Sequence, residues 1–278
     1  LEEGKTVTGI KNLWIKNEGT LERNPTREFC QNLDSLPFPD RDIWQKWMNA
    51  ARAKHVILLG RGCPFRCTYC CNHILMKIAP GRFVRFRSPE NVIKELESIV
   101  HQFPHTKDVY FEVETIGADM TFAEELCSRL IEFNAAFNKP LSFGVNLRII
   151  PNVDYNNLFQ AFKKANFTYI KIGLESGSDR VRKEILNRHY SNVDIINAVQ
   201  LAQQQGLKVS TYVMVGIPGE TLEDFKETIK CVRDCRPHRA GLSIFYPYPG
   251  TELYKLCEEK GVLNHNTNPR YEREIATL

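Results

Sequence analysis

Long apolar runs are missing from this 278-residue sequence. The longest, such as His55 to Leu59 and Val213 to Ile217, fall far short of the ~20 residues that a helix needs to cross a bilayer, so we expect no membrane span. Blocks of about five or six like charges are also missing, and the net charge is only +4. Such a mild positive bias gives no reason to expect nucleic acid as a partner.

The start of the chain has neither an initiator Met nor the basic, apolar and small-residue pattern of a signal peptide. We expect it to be a piece of a longer protein. The nine cysteines are an odd number, and four of them lie within nine residues, at Cys63, Cys67, Cys70 and Cys71. Such crowding in a chain of this size favours a metal site in a reducing compartment over disulfides. We therefore predict a cytoplasmic protein.

The composition is that of a folded domain, with 42% apolar and 25% charged residues. From residue 54 onward, short β-branched or aromatic runs alternate with amphipathic stretches of about three helical turns. Predicted strands are His55–Gly60, Asp108–Glu114, Leu141–Leu147, Thr168–Leu174, Lys208–Val215 and Ala240–Tyr246. Predicted helices are Pro89–Gln102, Thr121–Asn134, Asp154–Ala165, Asp179–Leu186, Val193–Gln205 and Leu222–Cys235. This alternation predicts an α/β fold with parallel strands.

Six βα units fit either an open doubly wound sheet or three-quarters of an eight-unit barrel, and the sequence period does not choose between them. In both folds, ligands bind at the carboxyl ends of the strands. We divide the chain into a hairpin and linker, or the tail of a preceding domain, over residues 1–53, the βα units over 54–263, and a polar tail or truncated region over 264–278. The first region is predicted to hold a hairpin (Thr8–Lys16 with Thr20–Arg23), a connector (Leu33–Pro39) and a short helix (Ile43–Arg52).

The loop after the first predicted strand contains three closely spaced cysteines that are candidate metal ligands. Cys63, Cys67 and Cys70 have Cys-x3-Cys-x2-Cys spacing, which brings three thiolates to one metal centre, and Gly60 and Gly62 are expected to relieve backbone crowding there. Sulfur ligands select zinc or iron-sulfur clusters. A structural zinc ion needs four ligands. Three ligands leave one corner of a 4Fe-4S cluster vacant. The alternatives are a zinc knuckle completed by Cys71 or His73, and unligated buried thiols.

These three cysteines, with Tyr69 before the last, resemble the signature of the radical S-adenosylmethionine (AdoMet) superfamily. The resemblance covers residues ~54 to ~250 and implies a partial (βα)6 TIM-like barrel. It also implies that Cys63, Cys67 and Cys70 hold a 4Fe-4S cluster whose fourth iron is chelated by AdoMet. A reduced cluster, supplied by a donor such as flavodoxin or ferredoxin, would cleave AdoMet to a 5′-deoxyadenosyl radical. The radical would abstract hydrogen from a small-molecule or peptide substrate.

The same resemblance implies further AdoMet contacts at other strand ends. At the second strand end the usual Gly-Gly-Glu is replaced by Phe-Glu-Val-Glu-Thr, and we favour Glu114 as acceptor for the AdoMet ammonium over a solvated strand terminus. The run Gly173-Leu-Glu175-Ser176-Gly177 makes Glu175 and Ser176 candidates for the ribose or the ammonium. A simple turn is the alternative.

Val215 and Gly216 resemble the segment that contacts adenine in this family. Arg148 is a candidate partner of the AdoMet carboxylate or of an acidic substrate, with an ordinary surface arginine as the alternative. Tyr69, as part of the signature, completes the predicted cofactor-binding residues.

The connector Leu33–Arg41 and the segment Arg85–Asn91 resemble radical AdoMet proteins that carry a cobalamin-binding domain, so cobalamin is a further candidate cofactor. The Asp-x-His-x-x-Gly loop of that domain is absent from the sequence. With cobalamin, methylation or ring formation is the expected outcome. The alternatives are a methylthiotransferase, which normally carries an additional RNA-binding β-barrel, and a zinc-stabilised binding module without catalytic activity.

Overall fold

The computed structural model of the chain describes residues 9–17, 19–43, 54–138 and 140–263. Nearly all of the short helix predicted over Ile43–Arg52, and the predicted tail, lie outside the described residues. The strands are Trp14–Asn17 (β1), Thr20–Arg23 (β2), Lys54–Leu58 (β3), Gly60–Arg61 (β4), Arg85–Phe86 (β5), Asp108–Glu112 (β6), Ser142–Leu147 (β7), Phe167–Glu175 (β8), Lys208–Val215 (β9) and Arg239–Ile244 (β10). The helices are Asn72–Leu75 (α1), Pro89–Gln102 (α2), Met120–Ala135 (α3), Asn156–Lys164 (α4), Asn192–Gln204 (α5), Leu222–Cys235 (α6) and Glu252–Glu259 (α7).

Six parallel strands pair in the order β3-β6-β7-β8-β9-β10, which is also their order along the chain. A doubly wound sheet reverses its strand order at a switch point, and no such reversal occurs among the described strands. Helices connect consecutive strands, as in a barrel. Strands β3 and β10 are the two edges of this sheet. The partial (βα)6 barrel predicted from the sequence is confirmed.

The two faces of the sheet differ in chemistry, and β8 shows the difference most clearly. Side chains on successive strand residues point to opposite faces. On one face Ile170, Ile172 and Leu174 are fully buried in the main core with the helices. On the other face lie Tyr169, Lys171, Gly173 and Glu175. The concave side of this barrel is therefore lined by polar groups.

A second, smaller core lies at the carboxyl end of the barrel. It is formed by Val181, Leu186, Ile217, Phe245, Leu253 and Cys257, with Tyr69 packed against it. Leu253 and Cys257 belong to α7, while Val181 lies in a π-helical turn over Val181–Ile185. This core joins the cysteine loop to the segments that follow β8, β9 and β10.

The N-terminal hairpin is present but shorter than predicted. Strands β1 and β2 pair antiparallel, with Trp14 opposite Arg23. The predicted first strand covers residues 9–13 as well. There Asn24 replaces strand pairing, because its side chain accepts from Gly9 N and donates to the Leu13 carbonyl. No helix in the described part of the chain has the length and apolar character that a membrane crossing requires.

Candidate active site at the carboxyl ends of the strands

A cavity of about 280 Å³ opens on the concave side of the barrel, at the carboxyl ends of the strands. This is the edge at which parallel α/β sheets bind ligands. Seven of the ten residues predicted for the site line this cavity, namely Cys63, Cys67, Tyr69, Cys70, Glu114, Arg148 and Glu175. The fold therefore gathers side chains from the cysteine loop, β7, β8 and the loop after β6 at one place.

The cysteine loop is held on both sides by hydrogen bonds from its centre. Thr68 donates from its hydroxyl to the Ile185 carbonyl over 2.6 Å and from its backbone N to the Leu186 carbonyl. The Thr68 carbonyl in turn accepts from Leu253 N in α7. The loop is thus fixed between the π-helical turn and α7, which places Cys67 and Tyr69 toward the cavity.

Two glycines in this loop are required by close backbone packing. A Cβ on Gly60 would lie 2.6 Å from the Arg85 carbonyl oxygen, and one on Gly62 would lie 2.3 Å from the Phe83 carbonyl oxygen. Gly62 also has φ of +86°, a conformation that favours glycine. These contacts come from the ribbon of β4 and β5, which closes the base of the loop.

Neighbouring donors polarise the cysteine sulfurs. Arg148 Nη1 donates to Cys67 Sγ at 2.7 Å, and Asn72 Nδ2 lies 3.5 Å from Cys70 Sγ. Burial raises the pKa of the Cys63 thiol to about 11. Hydrogen bonds to sulfur and a nearby guanidinium favour thiolates and the net negative charge of an iron-sulfur cluster.

The donor set fits a 4Fe-4S cluster held at three corners. Cys63, Cys67 and Cys70 line the cavity, whereas Cys71 is exposed and outside the lining. Among the described residues, no group of three or more His, Cys, Asp or Glu side chains is placed to hold a single metal ion. Cys63, Cys67 and Cys70 thus provide three thiols at one cavity, the number that such a cluster needs.

A second group of polar side chains lines the same cavity next to the cysteine loop. Arg188, with its side chain 5% exposed, donates to the Tyr69 hydroxyl over 2.9 Å, to Glu175 Oε1 over 3.1 Å and to the Gly173 carbonyl. Burial, with a smaller contribution from Glu175, raises the pKa of Tyr69 well above its usual value. Because its oxygen accepts from Arg188, the Tyr69 hydroxyl keeps its own proton for donation.

The backbone at the end of β8 is shaped to present Glu175. Its φ is +60°, which is uncommon for a residue other than glycine, and the pairing with β9 shifts register between Gly173 and Glu175. The carboxylate folds back over Gly173, where an added Cβ would lie 2.3 Å from Glu175 Oε1. Glycine is therefore required at position 173 because a side chain there would collide with the Glu175 carboxylate.

Three predicted contacts lie outside the cavity lining. Ser176 is fully buried, and its hydroxyl meets the Thr228 hydroxyl of α6 and accepts from Ser178 N. Val215 ends β9, while Gly216 is exposed with φ of +78° and donates from N to Glu220 Oε2. Ser176 positions the loop in this structure, and its predicted contact with AdoMet, like those of Val215 and Gly216, remains a prediction.

Sequence reasoning missed several cavity residues, including Asn146, Lys171, Arg188 and Tyr212. Arg188 lies in no motif and reaches the site from the loop after the π-helical turn. Lys171 carries a usable signal, since a lysine stands between two isoleucines in a predicted strand, on the same face as Glu175. Asn146 carries the same signal in β7, two residues before Arg148.

Comparison with known proteins identifies the family. The sequence model of the family described as "Radical SAM superfamily" matches residues 57–232. The matched segment is well over half of the chain, so this protein belongs to the radical SAM superfamily. Membership implies a 4Fe-4S cluster and AdoMet as cofactors, as expected from the cysteine spacing.

Curated relatives include the "Uncharacterized methyltransferase PH0819" of Pyrococcus horikoshii, which is 28% identical over 95% of this chain and 55% of the relative. The anaerobic magnesium-protoporphyrin IX monomethyl ester cyclase of Rubrivivax gelatinosus is 26% identical over 91% of this chain and 44% of the relative. The tRNA-2-methylthio-N(6)-dimethylallyladenosine synthase of Petrotoga mobilis is 27% identical over 75% of this chain and 47% of the relative. The chain spans about half the length of the curated relatives it matches.

Solved structures with the same fold include the radical AdoMet methyltransferase TsrM from Kitasatospora setae with cobalamin and a 4Fe-4S cluster bound. Its TM-score is 0.73 at 17% identity, over 96% of this chain and 52% of that chain. The cobalamin-dependent radical AdoMet enzyme OxsB has a TM-score of 0.75 at 16% identity, over 99% of this chain and 45% of that chain. At such identities the similarity establishes the fold, and the predicted barrel agrees with it.

Proposed function

We propose that residues 54–263 form the catalytic barrel of an enzyme that reductively cleaves AdoMet and abstracts hydrogen from a small organic molecule or a peptide. The observation that carries this proposal is the convergence of Cys63, Cys67 and Cys70 on one cavity lined with carboxylates and guanidinium groups. When bound, the reduced cluster supplies the electron that splits AdoMet into methionine and the 5′-deoxyadenosyl radical, which takes a hydrogen atom from the substrate. A one-electron carrier such as flavodoxin or ferredoxin would provide that electron.

The residues of the chain would divide the work of binding. The three cysteines would each hold one iron, and Arg148 would stabilise negative charge on the sulfur side. Glu114 lines the cavity as an exposed carboxylate and would accept from the AdoMet ammonium. Glu175, held in place by Arg188, would bind the ribose hydroxyls or the ammonium of AdoMet. The barrel walls would limit the access of water to the radical.

The experiment compares Cys63→Ala with Cys71→Ala, since Cys71 lies in the same loop but outside the cavity. Each protein is purified and reconstituted without oxygen. Wild type and Cys71→Ala should bind about four irons per chain, absorb broadly near ~400 nm and form 5′-deoxyadenosine from AdoMet and dithionite. Cys63→Ala should lose all three properties. Full 5′-deoxyadenosine formation by Cys63→Ala would refute the proposal.

Cobalamin is the further cofactor that we propose, with methylation or ring formation as the reaction. Support comes from the fold shared with TsrM and OxsB, and from the methyltransferase and cyclase among the relatives. The sequence lacks the Asp-x-His-x-x-Gly motif of the cobalamin-binding domain. Added cobalamin should change the products of the AdoMet reaction, and unchanged products would argue against this cofactor.

A methylthiotransferase is the second candidate, favoured by the similarity to the Petrotoga enzyme. Mass spectrometry separates the two reactions, because a methylthio group adds sulfur to the product and a methyl group does not. A sulfur-containing product would support the second candidate.

A further inference from the structure

The concave side of the barrel is arranged in layers set by strand register. Tyr110 of β6, Gly144 of β7 and Tyr169 of β8 pair side by side and form an aromatic layer. The Tyr169 ring covers Gly144, and the two tyrosine rings stack with centroids 5.6 Å apart. This aromatic pair is the floor beneath the cavity.

The next layer toward the cysteines is polar. Asn146 pairs in register with Lys171, which pairs in turn with Ser210. Asn146 donates to Glu112 Oε1 over 2.9 Å and accepts from the Tyr110 hydroxyl. Glu112 therefore has a defined amide partner of its own. The interior of a closed eight-unit barrel is normally filled with branched apolar side chains, so a polar layer here needs an explanation.

Lys171 differs from the other two cations that line the cavity. Arg148 donates to Cys67 and lies over the Phe65 ring, and Arg188 is paired with Glu175. The contact recorded for the Lys171 ammonium is with the face of the Tyr110 ring, at 3.8 Å from its centroid. Within the described residues, no carboxylate lies at salt-bridge distance from Lys171.

A second lysine lies near Lys171. Lys54 approaches the same two tyrosine rings from the other end, 4.6 Å from the Tyr169 centroid and 5.5 Å from that of Tyr110. Burial, opposed by Glu112 and reinforced by Lys54, lowers the pKa of Lys171. An anion arriving from the cavity would therefore gain an ion pair with a partly desolvated cation that makes no direct ion pair with a described carboxylate, although Glu112 is close enough to act on it.

We propose that Lys171 binds a carboxylate group of the substrate, which makes the substrate a small organic acid anchored inside the barrel. The inference rests on the proposed function, because it assigns the substrate class of that site. Lys171 lies two strand residues before Gly173, or about 7 Å deeper along β8. A carboxylate bound there would leave the adjoining carbons between the aromatic floor and the cysteine rim, which is the position that hydrogen abstraction requires.

The test uses benzoate and its uncharged analogue benzamide as probes of matched size. Ligand-observed NMR measures their binding to the cluster-loaded protein with saturating AdoMet present, so that groups that bind AdoMet are occupied. Wild type should prefer benzoate by about tenfold, the effect of one charge-assisted hydrogen bond. Lys171→Met should abolish the preference, and Lys171→Arg should retain most of it. Lys54→Met is the matched control, because it removes a charge from the same ring pair outside the cavity lining.

Circular dichroism and iron content show whether each variant folds, and Lys171→Gln provides a second uncharged variant. Three results would overturn the proposal: no benzoate preference in wild type, an unchanged preference in Lys171→Met and Lys171→Gln, or a preference that appears only without AdoMet. The last would mean that Lys171 holds the AdoMet carboxylate. Failure of the proposed function is seen separately, as absence of 5′-deoxyadenosine from wild type with AdoMet and dithionite.

Discussion

Arg148 donates a hydrogen bond to Cys67, from Nη1 to Sγ across 2.7 Å, and so joins the end of β7 to the cysteine loop. The guanidinium carbon also lies over Phe65, 3.9 Å from the ring centroid. Two residues of the cysteine loop therefore hold the Arg148 guanidinium in place, and the guanidinium brings a positive charge to that loop. An iron-sulfur cluster held there would have a positive group beside one of its ligands.

Replacing Arg148 with Met should make the cluster harder to reduce. Hydrogen bonds to sulfur and nearby positive charge stabilise the reduced, more negative cluster. Loss of one charge-assisted hydrogen bond should shift the midpoint potential by roughly 50–100 mV to more negative values. Redox titration followed by visible absorption measures the shift. Arg66→Met, which removes an exposed arginine from the same loop, should leave the potential unchanged. Equal potentials in Arg148→Met and wild type would contradict this role.

Replacing Gly173 with Ala should weaken AdoMet binding through Glu175. The new Cβ would lie 2.3 Å from Glu175 Oε1 and 3.4 Å from Arg188, so the carboxylate has to leave its present position. We expect about a tenfold rise in the Kd for AdoMet, measured by equilibrium dialysis. The double variant with Glu175→Ala tests the mechanism, because without the carboxylate the added methyl group meets no oxygen there. It should bind as Glu175→Ala does, and further weakening would show that Gly173 acts otherwise.

Asp224 should stabilise the fold above its unfolded-state pKa. Burial opposes its ionisation, but hydrogen bonds from Arg180, Ser178 and Thr221 prevail and hold the pKa well below its usual value. A carboxyl with a lowered folded-state pKa contributes its full stability above about pH 4, and this contribution is lost as the pH falls toward the folded-state pKa.

Asp224→Asn should therefore cost about 2 kcal/mol at pH 7 and less at pH 3. Urea unfolding of the cluster-free protein, followed by circular dichroism, measures the difference at each pH. Asp234→Asn, with a half-exposed side chain in the same helix, should cost little at either pH. A cost for Asp224→Asn that does not vary with pH would be inconsistent with this explanation.

Glu95 should be essential for the docking of the connector onto the barrel. Its side chain is 1% exposed and pairs with Arg41 of the connector and with Arg87 before α2. Glu95→Gln leaves two largely buried guanidinium groups without a counter-charge and should destabilise the protein by about 3 kcal/mol. Urea unfolding measures this loss. The control is Glu97→Gln on the exposed face of the same helix, and an equal effect of both would remove the special role of Glu95.

Local signals in the sequence predicted many of the element bounds. Helix α2 begins where expected because the Ser88 side chain accepts from Asn91 N and Pro89 follows. Helix α5 ends before Gly206, which has φ of +81°. Helix α6 starts at a capping box of Thr221 and Asp224. Each of these signals involves residues close together in the chain, so a single sequence contains them.

Long-range contacts were harder to predict. The helix predicted over Asp179–Leu186 is present, but it winds as a π-helix over Val181–Ile185, closed by a bond from Leu186 N to the Val181 carbonyl. Its Arg182 is fully buried and donates to the Ser176 and Tyr190 carbonyls. Those acceptors come from segments on either side of the turn. The local pattern of residues 179–186 does not indicate that Arg182 will donate to carbonyls on both sides of the turn.

The site shows the same division. Spacing alone marked the three cysteines, because all of them lie in one short loop. Arg188 lies outside every motif, and Lys171 is a lone lysine within a predicted strand. Strand register and the folding of the loop bring these two residues to the cavity. Ser176 belongs to the recognised motif, yet in the structure its hydroxyl serves α6. A motif thus fixes which residues occur together without fixing which way each one points.

The hydrogen bonds of Thr68 to the π-helical turn and to α7 have a consequence for protein engineering. At its centre the loop is tied to segments over a hundred residues downstream through the Thr68 hydroxyl and backbone. The partners of Thr68 are backbone groups of Ile185, Leu186 and Leu253, which any sequence supplies, so the one side chain that this attachment requires is the Thr68 hydroxyl. A chimera that takes residues 60–86 from another superfamily member should therefore keep a serine or threonine at this position.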